Sequence, residues 1–345
     1  MEYRPLGRSG CVISTLALGT MTFGYETDEK ESCAQLDCFV EAGGNLIDTA
    51  DVYSAGAAEE IIGRWLVSRP ELRRDVVLAT KGRFALGKGI NADGLSRRHL
   101  AHALDDSLRR LGVETIDLYQ VHGFDPLTPL EETLRFLDDA VQAGKILYVG
   151  LSNFTGWQVQ KMVDLAEAWK VTRPVTLQPQ YNLLTRETEW EIVAVCQAEG
   201  LGLLPWSPLA GGWLTGKYTR DERPAGATRL GEDPERQFQA YDRRGRLEQT
   251  WQVLDEVRAV AAGRGVSMAE VSLAWLVDRP GVSSVILGAR TVEQLNENLK
   301  AAGLHITPGE TRRLDAASEL TPADYPYGGP GSQQRSRAVP EPQLS

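Results

Sequence analysis

Histidine and cysteine are scarce, with four of each in 345 residues. The cysteines, Cys11, Cys33, Cys38 and Cys196, form no C-x-x-C pair and no other metal spacing, and a chain of this length can build a core without a disulfide framework. Reduced thiols and a cytoplasmic setting are therefore expected. There is no Lys/Arg-rich run, and 37 basic against 47 acidic residues leave a net charge of -10. That balance argues against nucleic acid or an anionic membrane surface as a partner, so any bound phosphate needs a local basic pocket. No window nears the roughly 20 apolar residues of a membrane span, and Met1-Glu2-Tyr3-Arg4-Pro5 has no apolar signal stretch.

Several nucleotide and metal motifs are missing too. No G-x-G-x-x-G follows a strand pattern, which counts against a doubly wound dinucleotide-binding domain. Gly211 to Lys217 spells G-x-x-x-x-G-K, but Tyr218 stands where a phosphate loop needs a Mg²⁺-binding Ser or Thr. His99 and His102 lie three apart on a helical pattern without a third ligand and read as a solvated face. No metal is expected.

What the chain does have is regular alternation of short apolar runs with helical periodicity. A hairpin is predicted from Tyr3 to Ile13 and a first strand from Leu16 to Thr20. A helix from Glu29 to Ala42 follows, with Cys33, Leu36, Phe39 and Val40 on one face and Gly43-Gly44 ending it. Further strands fit Asn45 to Asp48, Val76 to Lys81, Leu118 to His122, Ile146 to Leu151, Val175 to Gln178, Leu201 to Pro205 and Ser283 to Gly288. Between them lie helices near Ala58 to Val67, Ser96 to Leu111, Leu130 to Ala143, Trp157 to Trp169, Glu187 to Glu199, Leu247 to Gly263 and Val292 to Ala302. This pattern predicts an α/β fold, a single (β/α)8 TIM barrel with an N-terminal hairpin and extra helices, over residues 1–330. An open doubly wound sheet is the alternative. Tyr218 to Arg246, nearly free of aliphatic residues, reads as a long mobile loop and a lid; Met268 to Val277 reads as an added helix. Residues 331–345 are expected to be disordered, with Tyr325 and Tyr327 reaching back over the barrel mouth.

Four polar residues stand at or just past strand ends: Asp48, Tyr53, Lys81 and His122. In a parallel barrel the carboxyl ends of the strands carry the chemistry. Singly, each has a plainer reading: a loop salt bridge, a packed ring, a satisfied histidine. Together they make a proton-transfer set. A free tyrosine has a pKa near ~10, and an adjacent ammonium favours its phenolate. Lys81 would supply that charge, Asp48 would hold the ammonium, and His122 would donate to a substrate oxygen. Protonating a carbonyl is half of a reduction; the other half is a hydride that only a cofactor supplies.

Later strand ends offer sites for such a cofactor. Gly150-Leu151-Ser152-Asn153-Phe154, Leu177-Gln178-Pro179-Gln180-Tyr181-Asn182 and Trp206-Ser207-Pro208-Leu209-Ala210-Gly211-Gly212 bring amides for a carboxamide and an indole to stack on its ring. Gly288-Ala289-Arg290-Thr291, followed by a helix bearing Gln294, Glu297 and Asn298, suits a phosphate near a helix start.

At this point nearly the whole chain resembles the aldo-keto reductases, from Leu16-Ala17-Leu18-Gly19-Thr20-Met21 through the Asp48 to Tyr53 segment, Lys81 and His122, to Gly288-Ala289-Arg290. The resemblance implies an NADP(H)-dependent oxidoreductase interconverting an aldehyde or ketone with an alcohol. Tyr53 would be the general acid, Lys81 and Asp48 would tune it, and His122 would orient the carbonyl. It also implies a cofactor lined by Thr20, Met21 and Asp48, its carboxamide on Ser152, Asn153 and Gln178 and its nicotinamide on Trp206. Ser207, Leu209, Gly211 and Lys217 would follow the pyrophosphate, with Gly288, Arg290, Gln294, Glu297 and Asn298 at the adenosine end. Trp206 and Gly288-Ala289-Arg290 resemble the bacterial and potassium-channel β-subunit branches more than the steroid and aldose members. A catalytically quiet redox sensor like the channel subunits is the alternative, but that branch carries asparagine where this chain has His122. A substrate pocket is expected around Phe23, Tyr25, Phe84, Phe124, Trp213 and the tail.

Overall fold

The computed structural model describes residues 1–226, 228–233, 240–322 and 324–335. A short antiparallel hairpin, β1 (Tyr3–Pro5) and β2 (Val12–Ser14), precedes eight parallel strands: β3 (Leu16–Gly19), β4 (Leu46–Asp48), β5 (Val77–Gly82), β6 (Ile116–Val121), β7 (Ile146–Ser152), β8 (Pro174–Gln178), β9 (Gly202–Leu203) and β10 (Val285–Gly288). They lie in the order β10-β3-β4-β5-β6-β7-β8-β9. The two ends of that sheet meet: Leu203 N donates to Gly281 O at 2.8 Å, Ser283 N to Leu203 O at 2.9 Å, and Ile286 N to Pro205 O at 3.0 Å. The sheet is thus the predicted closed (β/α) barrel, with no open edge.

Period-two alternation sorts the strand residues into two layers. Leu16, Leu18, Ile47, Leu78, Tyr119, Val121, Val149, Leu151, Leu177 and Leu203 face outward into the large core shared with the helices. Inside, Ala17, Leu46, Val77, Ala79, Leu118, Leu204 and Ile286 form a separate apolar cluster, and Leu6 and Ile13 of the hairpin segment close it from below. This floor leaves polar inward positions only near the carboxyl ends.

The structure departs from the sequence expectations in several places. The helix expected over Glu187 to Glu199 is split into a 3-10 turn, Glu187–Glu189, and a helix, Ile192–Glu199. At the break Trp190 stacks on Tyr327 with centroids 5.2 Å apart, and Glu191 accepts from the Tyr327 hydroxyl at 2.6 Å. Tyr325, by contrast, is exposed. A helix at Pro308–Ala317 was not anticipated, although Thr307 and Glu310 form a capping box there, and Gly329–Arg335 is helical as well. Residues 336–345 lie outside the described ones. The described part of the segment 218–246 is not bare loop: it contains the helical turns Arg229–Glu232 and Tyr241–Arg244 and buries Leu230. Trp213, placed by the sequence in a substrate pocket, is fully buried among Tyr218, Tyr241 and Trp251, and Phe23 is core as well. His99 is buried rather than solvated. Among the described residues no single helix is long and apolar enough to cross a membrane.

Candidate active site

Asp48, Lys81 and Gln178 end or nearly end β4, β5 and β8, and Gln120 lies two residues before His122, on the same inward face. The Asp48 carboxylate accepts three bonds: from Lys81 Nζ at 2.6 Å, Gln178 Nε2 at 2.8 Å and Gln120 Nε2 at 3.1 Å. Gly150 makes room for this layer, since a β-carbon there would lie 2.7 Å from Gln120 Cγ and 2.6 Å from Thr176 Oγ1. The Lys81 ammonium, fully buried, spends its other two donors on Thr49 O at 2.8 Å and Tyr53 Oη at 3.2 Å. All three protons are satisfied, which holds a buried charge in one geometry.

Tyr53 opens a 3-10 turn in which Ser54 and Ala55 have φ of 49° and 54°. Two consecutive left-handed non-glycine residues cost about 1 kcal/mol or more each. Ser54 Oγ donates to Phe23 O at 2.6 Å, which helps hold the turn. Burial pushes the Tyr53 phenol above its ordinary pKa; the Lys81 ammonium pulls it down, as expected from the sequence, but does not win. The phenol therefore keeps its proton at neutral pH. Burial also disfavours the Lys81 ammonium, but Asp48 and Tyr53 outweigh it and its pKa is raised. The His122 ring stands edge-on to Tyr53 at 5.8 Å, and burial, Lys81 and Arg83 drive its pKa well below the usual imidazole value. It is neutral at pH 7, with Nδ1 buried and unpartnered among the described residues.

A second group continues along the carboxyl ends of β7 to β9. Ser152 Oγ donates to Gln178 O at 3.0 Å; Asn153, at φ 56°, donates from Nδ2 to His122 O at 2.9 Å and accepts from Trp206 Nε1 at 3.0 Å. The indole of Trp206 is thereby fixed beside the quartet. Thr20 is buried and donates to Asp48 O, while Met21 is exposed on the loop after β3. Past Trp206 the backbone turns through positive φ at Ser207, Ala210, Gly211 and Gly212, and Leu209 sits half-buried in that turn. Lys217 lies over Gly212, where a β-carbon would be 2.6 Å from its Nζ. Burial, then Arg290 and Arg229, lowers the Lys217 pKa. These crowded cations suit an anionic ligand.

Around β10 the arrangement is less open. Arg290 Nε donates to Glu26 at 2.6 Å and Nη2 to Glu232 at 2.8 Å, so two carboxylates bracket it. Gln294 Oε1 accepts from Arg290 N at 3.0 Å, and Asn298 Nδ2 donates to Gly288 O at 3.3 Å. Glu297, exposed, pairs with Lys300. Gln120, Glu26 and Glu232 are the participants that sequence reasoning missed. Alternation with His122 would have found Gln120, but nothing local in sequence links Glu26 or Glu232 to Arg290. Among the described residues no group of three or more His, Cys, Asp or Glu is arranged to hold a metal.

The family model described as "Aldo/keto reductase family" matches residues 15–319. The chain belongs to the aldo/keto reductase family. Among curated proteins, this aldo/keto reductase is 36% identical over 326 residues to a probable voltage-gated potassium channel subunit beta of Oryza sativa, covering 93% of this chain and 98% of that protein. It is 36% identical over 323 residues to the uncharacterized oxidoreductase YrpG of Bacillus subtilis, covering 91% and 95%. The versiconal hemiacetal acetate reductase of Aspergillus parasiticus is 32% identical over 338 residues, covering 91% and 96%. The aldo/keto reductase assignment thus rests on matches that span the barrel from its first strand.

Proposed function

We propose that this aldo/keto reductase is an NADP(H)-dependent oxidoreductase that reduces an aldehyde or ketone to an alcohol, or runs the reverse, with Tyr53 as general acid and base. The observation that carries the reading is the hydrogen-bonded chain Asp48–Lys81–Tyr53 beside a neutral His122 at the strand ends. Bound NADP(H) supplies the hydride, which no side chain can replace. Tyr53 holds a proton at neutral pH and donates it to the carbonyl oxygen. The phenolate left behind faces the Lys81 ammonium, which lowers the cost of that transfer, and Asp48 keeps the ammonium charged and in place. With Nδ1 turned into the protein, Nε2 of His122 is the nitrogen left to orient the substrate oxygen.

The residues present fit the cofactor. Trp206, fixed by Asn153, offers a stacking face; Ser152, Asn153 and Gln178 bring polar groups beside it; the bend over Gly211 and Gly212 with Lys217 suits a pyrophosphate. Arg290 would serve a 2′-phosphate once Glu232 yields. The relatives named as channel β-subunits favour a second reading, a catalytically quiet nicotinamide-binding redox sensor.

Multiple-turnover oxidation of NADPH with a panel of aldehydes and ketones separates the two. Turnover is expected, with Tyr53→Phe losing roughly 10²–10⁴-fold in kcat while still binding NADPH. Tight NADPH binding without turnover of any carbonyl would establish the sensor instead; a fully active Tyr53→Phe would remove the acid assignment.

A further inference from the structure

Arg83 follows Gly82 at the carboxyl end of β5, two residues past Lys81. Its backbone is anchored: Arg83 O accepts from Gly94 N at 2.9 Å and bonds the buried His99 ring. The side chain crosses Gly123, the residue after His122; a β-carbon on Gly123 would lie 3.5 Å from Arg83 Cδ and 3.7 Å from Nε. The guanidinium stands 4.6 Å from the Phe84 ring centroid, and that ring meets the His122 imidazole edge-on at 4.9 Å.

This cation is weakly hydrogen-bonded. Among the described residues Nε is buried without a hydrogen-bond partner, and the ion pair to Asp93 is loose, at 3.6 Å to a carboxylate whose side chain is 55% exposed. Asp125, also nearby, has its oxygens taken by Leu95 N, Leu127 N and Thr128 Oγ1. A buried donor left unmade is costly, and an arginine fork matches a carboxylate. Beside it runs a wall of rings: Phe84 on His122, then Phe124 edge-on to Trp157 at 5.8 Å, with Trp157 61% exposed. Trp157 stands in the first turn of the helix Gly156–Trp169, just past the carboxyl end of β7, so its open ring lies on the side of the barrel that carries the quartet.

We infer that Arg83 determines specificity, and that the site prefers carbonyl compounds carrying an anionic group on a flat apolar body, aryl carboxylates with an aldehyde or ketone being the fitting class. The inference rests on the carbonyl-reductase reading above. The carbonyl lies at Tyr53 and His122, the apolar body lies along Phe84, Phe124 and Trp157, and the carboxylate displaces the weak Asp93 contact on the guanidinium. Since the chain as a whole carries -10, this selection comes from the local cation and not from the protein's long-range field.

The test compares the ortho, meta and para isomers of carboxybenzaldehyde with their methyl esters, as kcat/KM with NADPH, on the wild type, Arg83→Leu and Arg83→Lys. The acid-to-ester ratio cancels general damage to the pocket. For at least one isomer the wild type should favour the acid; Arg83→Leu should cut that ratio roughly tenfold or more through KM, and Arg83→Lys should restore part of it. Esters reduced with no acid preference for any isomer, or a ratio that Arg83→Leu leaves unchanged, overturn the inference and leave the reductase reading standing. No turnover of acid or ester overturns the inference, and the reductase reading falls with it only when the wider panel of aldehydes and ketones is not turned over either.

Discussion

Between Asp48 and Tyr53, the two ends of the hydrogen-bonded chain through Lys81, the sequence carries another acid, Asp51, which is fully buried. Charged groups face it from three elements: Glu59 on the helix Ala57–Ser68, Arg110 on Arg97–Leu111, and Lys81 on β5. Burial and then Glu59 push its pKa up to about 7, against the pull of Arg110 and Lys81. A carboxyl whose folded pKa is raised binds its proton more tightly when folded. Its effect on stability is therefore most favourable below the unfolded pKa, and is lost as pH rises toward the folded one, at about 1.4 kcal/mol per unit. The window runs from about 4 to about 7. Asp51→Asn should flatten that fall, gaining stability relative to the wild type as pH rises across the window. Urea unfolding at both ends of it is the check, and a constant gap between the two proteins would show that Asp51 ionises freely when folded.

At the scale of elements, the hairpin segment works as a floor. Leu6 and Ile13 are fully buried beneath the barrel's inner cluster, so the strands above can give their carboxyl-end positions to Asp48, Lys81 and Gln120. Leu6→Ala should cost roughly 2–5 kcal/mol by leaving a cavity under the barrel. A shift below about 1 kcal/mol in the urea-derived stability would mean that the barrel closes without the hairpin. The barrel strands were legible as short, mostly buried apolar runs, and the quartet because its polar residues stand at or just past the ends of those runs. Other features depend on contacts distant in sequence. The helix break at Trp190 and Glu191 coincides with the docking of Tyr327, 137 and 136 positions further along the chain. The segment from Tyr218 looked unanchored because it has almost no aliphatic residues, whereas rings hold it: Trp213 lies flat on Tyr241 at 5.5 Å and edge-on to Tyr218 and Trp251. Arg290 was legible as a cation; its bracketing by Glu26 from the loop after β3 and Glu232 from a far turn was not.

For the molecule as a whole, the proposed binding of a dinucleotide phosphate sets an acidic protein against its own field. The net charge of -10 would repel such a ligand, and Lys217, Arg229 and Arg290 gather opposing charge in one place. If that cluster receives the extra phosphate of NADPH, the two nicotinamide cofactors should stabilise the fold unequally. Ligand that binds only the folded state adds RT ln(1 + [L]/Kd), about 2.7 kcal/mol at a hundredfold excess over Kd. At equal concentration NADPH should therefore raise Tm more than NADH. High salt should narrow the difference, because at 1 M the screening length falls to roughly 3 Å. Arg290→Ala should narrow it at low salt as well, through the NADPH shift alone. Equal shifts with both cofactors at low salt would take the 2′-phosphate away from this cluster, and no shift with either would take away the cofactor site itself. A difference that survives Arg290→Ala would move recognition of that phosphate to the other cations of the cluster, Lys217 and Arg229.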